Sequence, residues 1–344
     1  MEYFAGLDVS LRSCALCIVD NKGIVQFERE MPCEVDEIAL CLTSFPYEVS
    51  RIGFEAGTLS QHLFFGLTSE GFDAVCMEAR QVNAALSAMR NKTDKNDARG
   101  IAQILRTGWF SPVHIKSREA HGVRALLSTR KALLNKTIDL ANEVRGLLKV
   151  FGIRLPKTVR HGSFDEVVRP MIEIDDVLAH AMIPLLDARL VLYQHFLELD
   201  RRVKRAASRD EVCMRFMTVP GVGPIAALTF KAAVDDPAHF KSSRTVAAHF
   251  GLTPRRYQSG EHDNPGRISK AGDRDVRTTL YAAANALLMR NMAASQIKTW
   301  GMHLIRTKGR RRAIVAVARK LAVLLHRMWA DGTEFRSENM EAKA

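Results

Sequence analysis

Residues 3–30, YFAGLDVSLRSCALCIVDNKGIVQFERE, decide the fold. YFAGLDVS alternates apolar and small residues and stops on polar ones just after Asp8. CALCIVD follows as a second strand, then the turn Asn21-Lys22-Gly23, then IVQFERE. A polar turn closing on Gly between two β-rich runs is a hairpin signal, so three antiparallel strands are expected. Cys14 and Cys17 form a CxxC pair, but on a strand they point to opposite faces, and Cys33 and Cys41 are badly spaced for zinc. Reduced thiols in or near a core are the better reading, and six cysteines in 344 residues are too few for a disulfide scaffold.

Working outward, residues 34–46 carry a helical pattern stopped by Pro46, RIGFEA reads as a fourth strand ending at Glu55, QHLFFGLTSEG as a helix closing at Gly71, and DAVCMEA as a fifth strand. The order β-β-β-α-β-α-β is that of a ribonuclease-H-like fold. Asp8 and Glu55 then end strands that lie side by side. KTDKNDARGIAQIL (92–105) adds Asp94 and Asp97 at i, i+3, on one face of a helix start. Each acid alone has an ordinary reading: Asp97 a helix N-cap, Asp8 a turn residue. Glu55, in an otherwise apolar strand, needs a partner. Together they form a set of hard oxygen ligands suited to Mg²⁺ or Mn²⁺, and two ions about 4 Å apart can activate an oxygen nucleophile in phosphoryl transfer. Glu78 is a weaker candidate, nearer the rim.

The net charge is +12, and it is unevenly spread. Residues 1–100 hold 9 Lys and Arg against 15 Asp and Glu, leaving 41 against 23 for the remainder. An acidic N-terminal module followed by a basic C-terminal one attracts polyanions, most simply nucleic acid. No stretch is apolar for long enough to span a membrane, the start lacks a basic secretory n-region, and no GxxxxGK[ST] loop occurs. A cytosolic protein is expected.

Residues 117–151 and about 176–208 read as two long amphipathic helices, the second interrupted by Pro184, with LPKTVRHGSFDEVVRP (155–170) a loop between them. They suggest an antiparallel hairpin or coiled-coil arm, either a packed spacer or a grip for a partner. TVPGVGPIAALTF (218–230) resembles a helix-hairpin-helix turn, in which Gly221 and Gly223 let the backbone approach a phosphate at a helix start. Thr253–Asp275 is polar, Gly- and Pro-broken and flanked by helices, and reads as a functional loop. It presents Arg255, Arg256, Arg267, Lys270 and Arg274 around Ser259, which precedes Gly260, with His262 and Asp263 close by. A serine there is either a polar loop residue or a nucleophile favoured by nearby positive charge. Residues 306–329 form a basic amphipathic helix entered from a Gly, fit to contact a phosphate backbone.

GLDVS with FEAGT, KTDKNDARGIA, and VPGVGPIAA continuing to FGLTPRRYQSGEHDNPGRISKAGDRDVR together resemble the DEDD transposases of bacterial insertion sequences, the IS110 family, whose relatives include the Piv DNA invertases. The resemblance covers about 1–110 and 213–290 and is specific through the order of its blocks. It implies an α/β plus α protein: a RuvC-like (ribonuclease-H-like) catalytic domain over 1–115, a helical coiled-coil arm over 116–210, and a mostly helical transposase domain with the serine loop and basic helix over 211–335. It implies that Asp8, Glu55, Asp94 and Asp97 hold Mg²⁺ (Mn²⁺ in its place) and that Ser259 attacks DNA to form a covalent phosphoserine. It further implies double-stranded DNA as substrate, a homodimer or homotetramer with sites completed between protomers, an element-encoded bridge RNA in some members, and a bacterial, nucleoid-associated location. The rivals are a Holliday-junction-resolvase-like endonuclease that uses water as nucleophile, and a nucleic-acid-binding protein with a decayed site.

Overall fold

The structure, a computed structural model, describes residues 1–87, 93–259, 262–290 and 294–337, with backbone alone at 256–259 and 262–265. Two compact units divide at Lys116/Ser117. The first is built on a five-stranded sheet of β1 (Tyr3–Val9), β2 (Ser13–Asp20), β3 (Val25–Pro32), β4 (Arg51–Glu55) and β5 (Ala74–Met77). The strand order is β3-β2-β1-β4-β5, with the first three antiparallel and β1, β4 and β5 parallel, as expected of a ribonuclease-H-like sheet. Helices α1 (Val35–Thr43) and α2 (Ser60–Ser69) supply apolar side chains to the core on one face, and α3 (Ala79–Leu86) and α4 (Asp94–Thr107) cover the other. The turn after β2 closes as its sequence suggests: Gly23 takes φ +83°, and Asp20 Oδ1 accepts from the N–H groups of Lys22 and Ile24, both at 2.9 Å.

Cys14 and Cys17 fall in separate core clusters on opposite faces of the sheet. Burial pushes both thiols up to about 12, so they remain protonated and poor ligands. Helix α3 was not expected from the sequence. Glu78 is its N-cap, accepting from Gln81 N–H at 2.9 Å, which accounts for that acid without a metal role.

In the second unit, α5 (Arg118–Val150) and α7 (Asp176–Arg209) run as a long helical pair, each about 50 Å long at 1.5 Å per residue. Pro184 sits inside α7 without ending it, and part of the expected 155–170 loop is helix α6 (Phe164–Ile172). The Pro and Gly punctuation hides an i, i+4, i+8 stripe, Phe164, Val168 and Ile172, all fully buried against Val144, Leu148 and Met182. At this end Arg189, with no exposed surface, pairs with Asp165, donates to His161 O at 2.8 Å and lies 4.4 Å from the Phe164 ring centroid. Nearer the root, Arg130 and Lys204 both pair with Asp200, Arg124 donates to Asp273 at 2.6 Å, and Lys131 pairs with Asp275.

The remaining α-helices are α8 (Glu211–Met217), α9 (Pro224–Val234), α10 (Ser243–His249), α11 (Arg274–Met289), α12 (Gln296–Lys308) and α13 (Arg310–Ala330), around one large apolar cluster that Val123, Leu126 and Leu127 of α5 also join. The long polar loop expected over 253–275 is instead a two-stranded antiparallel hairpin, β6 (Pro254–Ser259) and β7 (His262–Ile268). Its sequence, PRRYQS and HDNPGRI, is polar almost throughout and carries no apolar alternation to signal a strand. The basic helix starts one residue after Gly309, which breaks it from α12, an element the sequence reading did not separate.

Candidate active site

Asp8 and Glu55 are brought together by strand pairing. The parallel register of β1 and β4 matches Gly6 with Gly53 and Leu7 with Phe54, so the next residue on each strand is one of the acids. Neighbouring strands lie about 4.8 Å apart, which sets the backbone separation of the pair. Side chains alternate along a strand, so Asp8 shares the face of Gly6 and Glu55 that of Gly53. Both glycines face α4. A Cβ on Gly6 would overlap Ala98 O and Ala102 N, and one on Gly53 would lie 3.1 Å from Leu105 Cδ1. The missing side chains let α4 lie directly on the sheet, with its first turn beside the strand ends.

That first turn carries the other two acids. Thr93 caps α4, its Oγ1 accepting from Asn96 N–H at 3.2 Å, and Asp94 and Asp97 follow where the helix dipole favours negative charge. Glu28 on β3 fixes the helix from its other side. It pairs with Lys95 at 2.8 Å and takes two hydrogen bonds from Arg99, which hold its carboxyl down to about 2. With Lys95 and Arg99 turned to β3, Asp94 and Asp97 open on a cavity of about 580 Å³ that Asp8 and Glu55 also line. Asn83, which the sequence reading missed, donates to Glu55 Oε1 at 2.9 Å and lines the same cavity.

All four predicted acids therefore share one cavity. Among the described residues, no three Asp, Glu, His or Cys side chains are drawn into metal-ligating geometry. As a donor set, four carboxylates fit a hard divalent ion in kind.

The second group of predicted residues lies in the basic unit. Ser259 ends β6, paired with His262 across the hairpin, while the side chains of Arg256, Ser259, His262 and Asp263, and all of Gly260 and Glu261, lie outside the described residues. Arg255 donates to Ser269 O at 3.2 Å, tying the hairpin's two sides. The root is rigid. Gly251 and Gly272, both in the left-handed region, pack backbone to backbone on the opposite chain, and Arg277 Nη1 donates to the carbonyls of Phe250, Ala271 and Gly272 at 2.5–3.2 Å. Arg267 and Lys270 line a second concavity of about 1890 Å³, together with Arg312, Arg319, Lys320 and Arg327 of α13. The α13 residues were not singled out from the sequence, although arginines at 312, 319 and 327 recur at the seven- and eight-residue spacing of one helix face.

The two turn glycines have different surroundings. Gly221 has φ +90°, and a Cβ there would lie 2.5 Å from Ala283 O of α11, so packing within the unit already requires glycine. Gly223 is the N-cap of α9, with open space around its Cβ position.

Comparison with known proteins adds the following. The transposase IS116/IS110/IS902 family model matches residues 213–298, and a DEDD transposase model matches residues 5–153. The chain is 30% identical over 334 residues to the transposase for insertion sequence element IS1111A of Coxiella burnetii, covering 94% of this chain and 88% of that one. It is 29% identical over 251 residues to a probable family 20 transposase of Pseudomonas aeruginosa, covering 72% of this chain and 74% of that one. The structure of T. thermophilus RuvC in complex with Holliday junction substrate matches 33% of this chain and 100% of its own, at 13% identity and a TM-score of 0.26. The ribonuclease-H-like reading rests on strand order and register, not on that likeness.

Proposed function

The chain belongs to the IS116/IS110/IS902 family of transposases, and on that premise we propose that it excises and inserts an insertion sequence by cutting and rejoining DNA strands through a covalent phosphoserine. The supporting observation is the convergence of Asp8, Glu55, Asp94 and Asp97, from two strand ends and one helix start, on a single cavity. A divalent cation, Mg²⁺ or Mn²⁺, held by these carboxylates would supply neutralising charge at the scissile phosphate and its leaving oxygen. Asn83 orients Glu55, and the Glu28 clamp orients the helix that bears Asp94 and Asp97.

Ser259 is the proposed nucleophile. Its Oγ bonds to phosphorus as it gives up its proton, the phosphodiester P–O bond breaks, and the departing DNA oxygen takes a proton. A DNA hydroxyl then attacks the phosphoserine, restoring a phosphodiester and returning the serine. Each step exchanges one P–O bond for another, so no ATP is needed. Gly221, Gly223, Arg255, Arg256, Arg267 and Lys270 are the proposed holders of the sugar-phosphate backbone. Double-stranded DNA, an element-encoded bridge RNA, and one or three further copies of the chain complete the proposed assembly. No described helix is long and apolar enough to cross a membrane.

Incubation with Mg²⁺ and a plasmid carrying the element and its flanks, followed by denaturing gels with and without protease, tests this reading. A protease-sensitive protein–DNA adduct is expected from the native chain and none from Ser259→Ala. Full cleavage by Ser259→Ala would replace the serine route with a water nucleophile, as in a resolvase. Undiminished cleavage by Asp8→Asn would remove the acidic cavity from the chemistry. Loss of activity after ribonuclease treatment is the expected sign of the guide RNA.

A further inference from the structure

The concavity beside α13 has two kinds of wall. Nine of its lining side chains are Lys or Arg against two acids, one of which, Asp331, pairs with Arg327 at 3.2 Å. Between the cations the surface is apolar: Val315, Ala316, Val323 and Leu324 of α13, Trp300 of α12, and Phe335 beyond α13. Arg312, Arg319 and Arg327 are exposed, while Val315, Ala316, Val323 and Leu324 between them are half-buried. From Arg312 to Arg327 the helix rises about 22 Å. Gly301 brings Trp300 against this face, since a Cβ there would lie 2.5 Å from Leu288 Cδ2 and 2.8 Å from Val317 Cγ2. The Lys320 ammonium rests 4.2 Å from the Trp300 ring centroid.

A duplex offers a protein mainly phosphates, and its base faces are stacked away. Cations alone serve that purpose, and an apolar, aromatic floor between them adds nothing. An unpaired strand offers phosphates and base faces together, and matches a groove with charged walls and an apolar floor. We propose that the cleft formed by α12, α13 and the root of the β6–β7 hairpin binds an unpaired segment of polynucleotide, with phosphates on Arg312, Arg319 and Arg327 and a base against Trp300. An arriving phosphate draws the Lys320 ammonium off the indole and frees that ring face for stacking. This rests on the reading of the chain as a nucleic-acid enzyme and adds which form of nucleic acid this cleft takes.

Fluorescence anisotropy of the full chain with labelled oligo-dT, oligo-U and a duplex of the same length, about 12 units, at about 0.15 M salt tests the proposal. The single strands are expected to bind about tenfold tighter than the duplex. Trp300→Ala and Arg319→Glu should each weaken single-strand binding about tenfold and leave duplex binding within about twofold. Trp300→Phe should recover most of the affinity. Trp300 packs partly on the core, whereas Arg319 is exposed, so Arg319→Glu reports even if Trp300→Ala misfolds. Tighter binding of oligo-U names RNA as the source and of oligo-dT a displaced DNA strand; either supports the proposal. Equal binding of duplex and single strands, or equal losses on both, overturns it. Asp8→Asn separates the two readings, since it should lose cleavage yet keep the single-strand preference. If the preference is present and the native chain does not cleave, the proposed function fails while the cleft assignment stands.

Discussion

The acidic cavity and the basic cleft carry opposite charge and are assembled in opposite ways. The acidic cavity of the first unit is made by main-chain geometry: a parallel register sets Asp8 beside Glu55, and glycines let the α4 backbone settle on the sheet. The basic cleft of the second unit is made by side chains, with arginines repeated along a helix and spread from Arg244 to Arg336. The first design concentrates function in few residues and tolerates little change. The second distributes it over many side chains.

The largest expected effect is on the acidic side and involves no acid. Gly6→Val places a branched side chain where Ala98 O and Ala102 N already lie. It should cost about 3 kcal/mol or more of stability and abolish cleavage by lifting α4. Thermal unfolding beside a cleavage assay checks this; an unchanged melting temperature would mean that the helix is not seated by that glycine.

Next comes Glu28→Gln, which loosens the same helix without a clash. Its cost should be about 1 kcal/mol near neutral pH. Because the folded carboxyl is held near 2 by Arg99 and Lys95, below its ordinary value of 4.5, the native chain's advantage is fully present above about 4.5. It should fade as pH falls from there through about 2. Denaturant melts of both proteins across that window give the sign, and a gap that widened with acid would refute the clamp.

The smallest effects belong to the basic side. Arg312→Gln and Arg327→Gln should each lower the slope of log affinity against log salt by about 1, additively, with native stability kept. Titrations at several salt concentrations measure it. A single substitution that removed binding outright would make this cleft as concentrated as the acidic one.

How much the sequence discloses follows the same division. The five strands, their order and the four acids are readable because strand ends, turn residues and i, i+3 spacing are local signals. Gly6 carries no such signal, since its role appears only once β1 lies under α4. Helix α6 and the β6–β7 hairpin are obscured for another reason: Pro170, Gly162 and a run of polar residues dominate short windows, while the stripe Phe164, Val168 and Ile172 needs the arm's far end to have meaning. The α13 arginines look like an ordinary solvated face until Trp300 is set beside them.

The knot at Arg277 has a mechanical consequence. Three carbonyls tied to one guanidinium, with two glycines interlocked beneath, clamp the β6–β7 ribbon as a cantilever is clamped in masonry. Above the clamp the strand pairing is irregular between Pro254 and Arg256. Loosening that mount would therefore shift the backbone of the whole ribbon, that of Ser259 included.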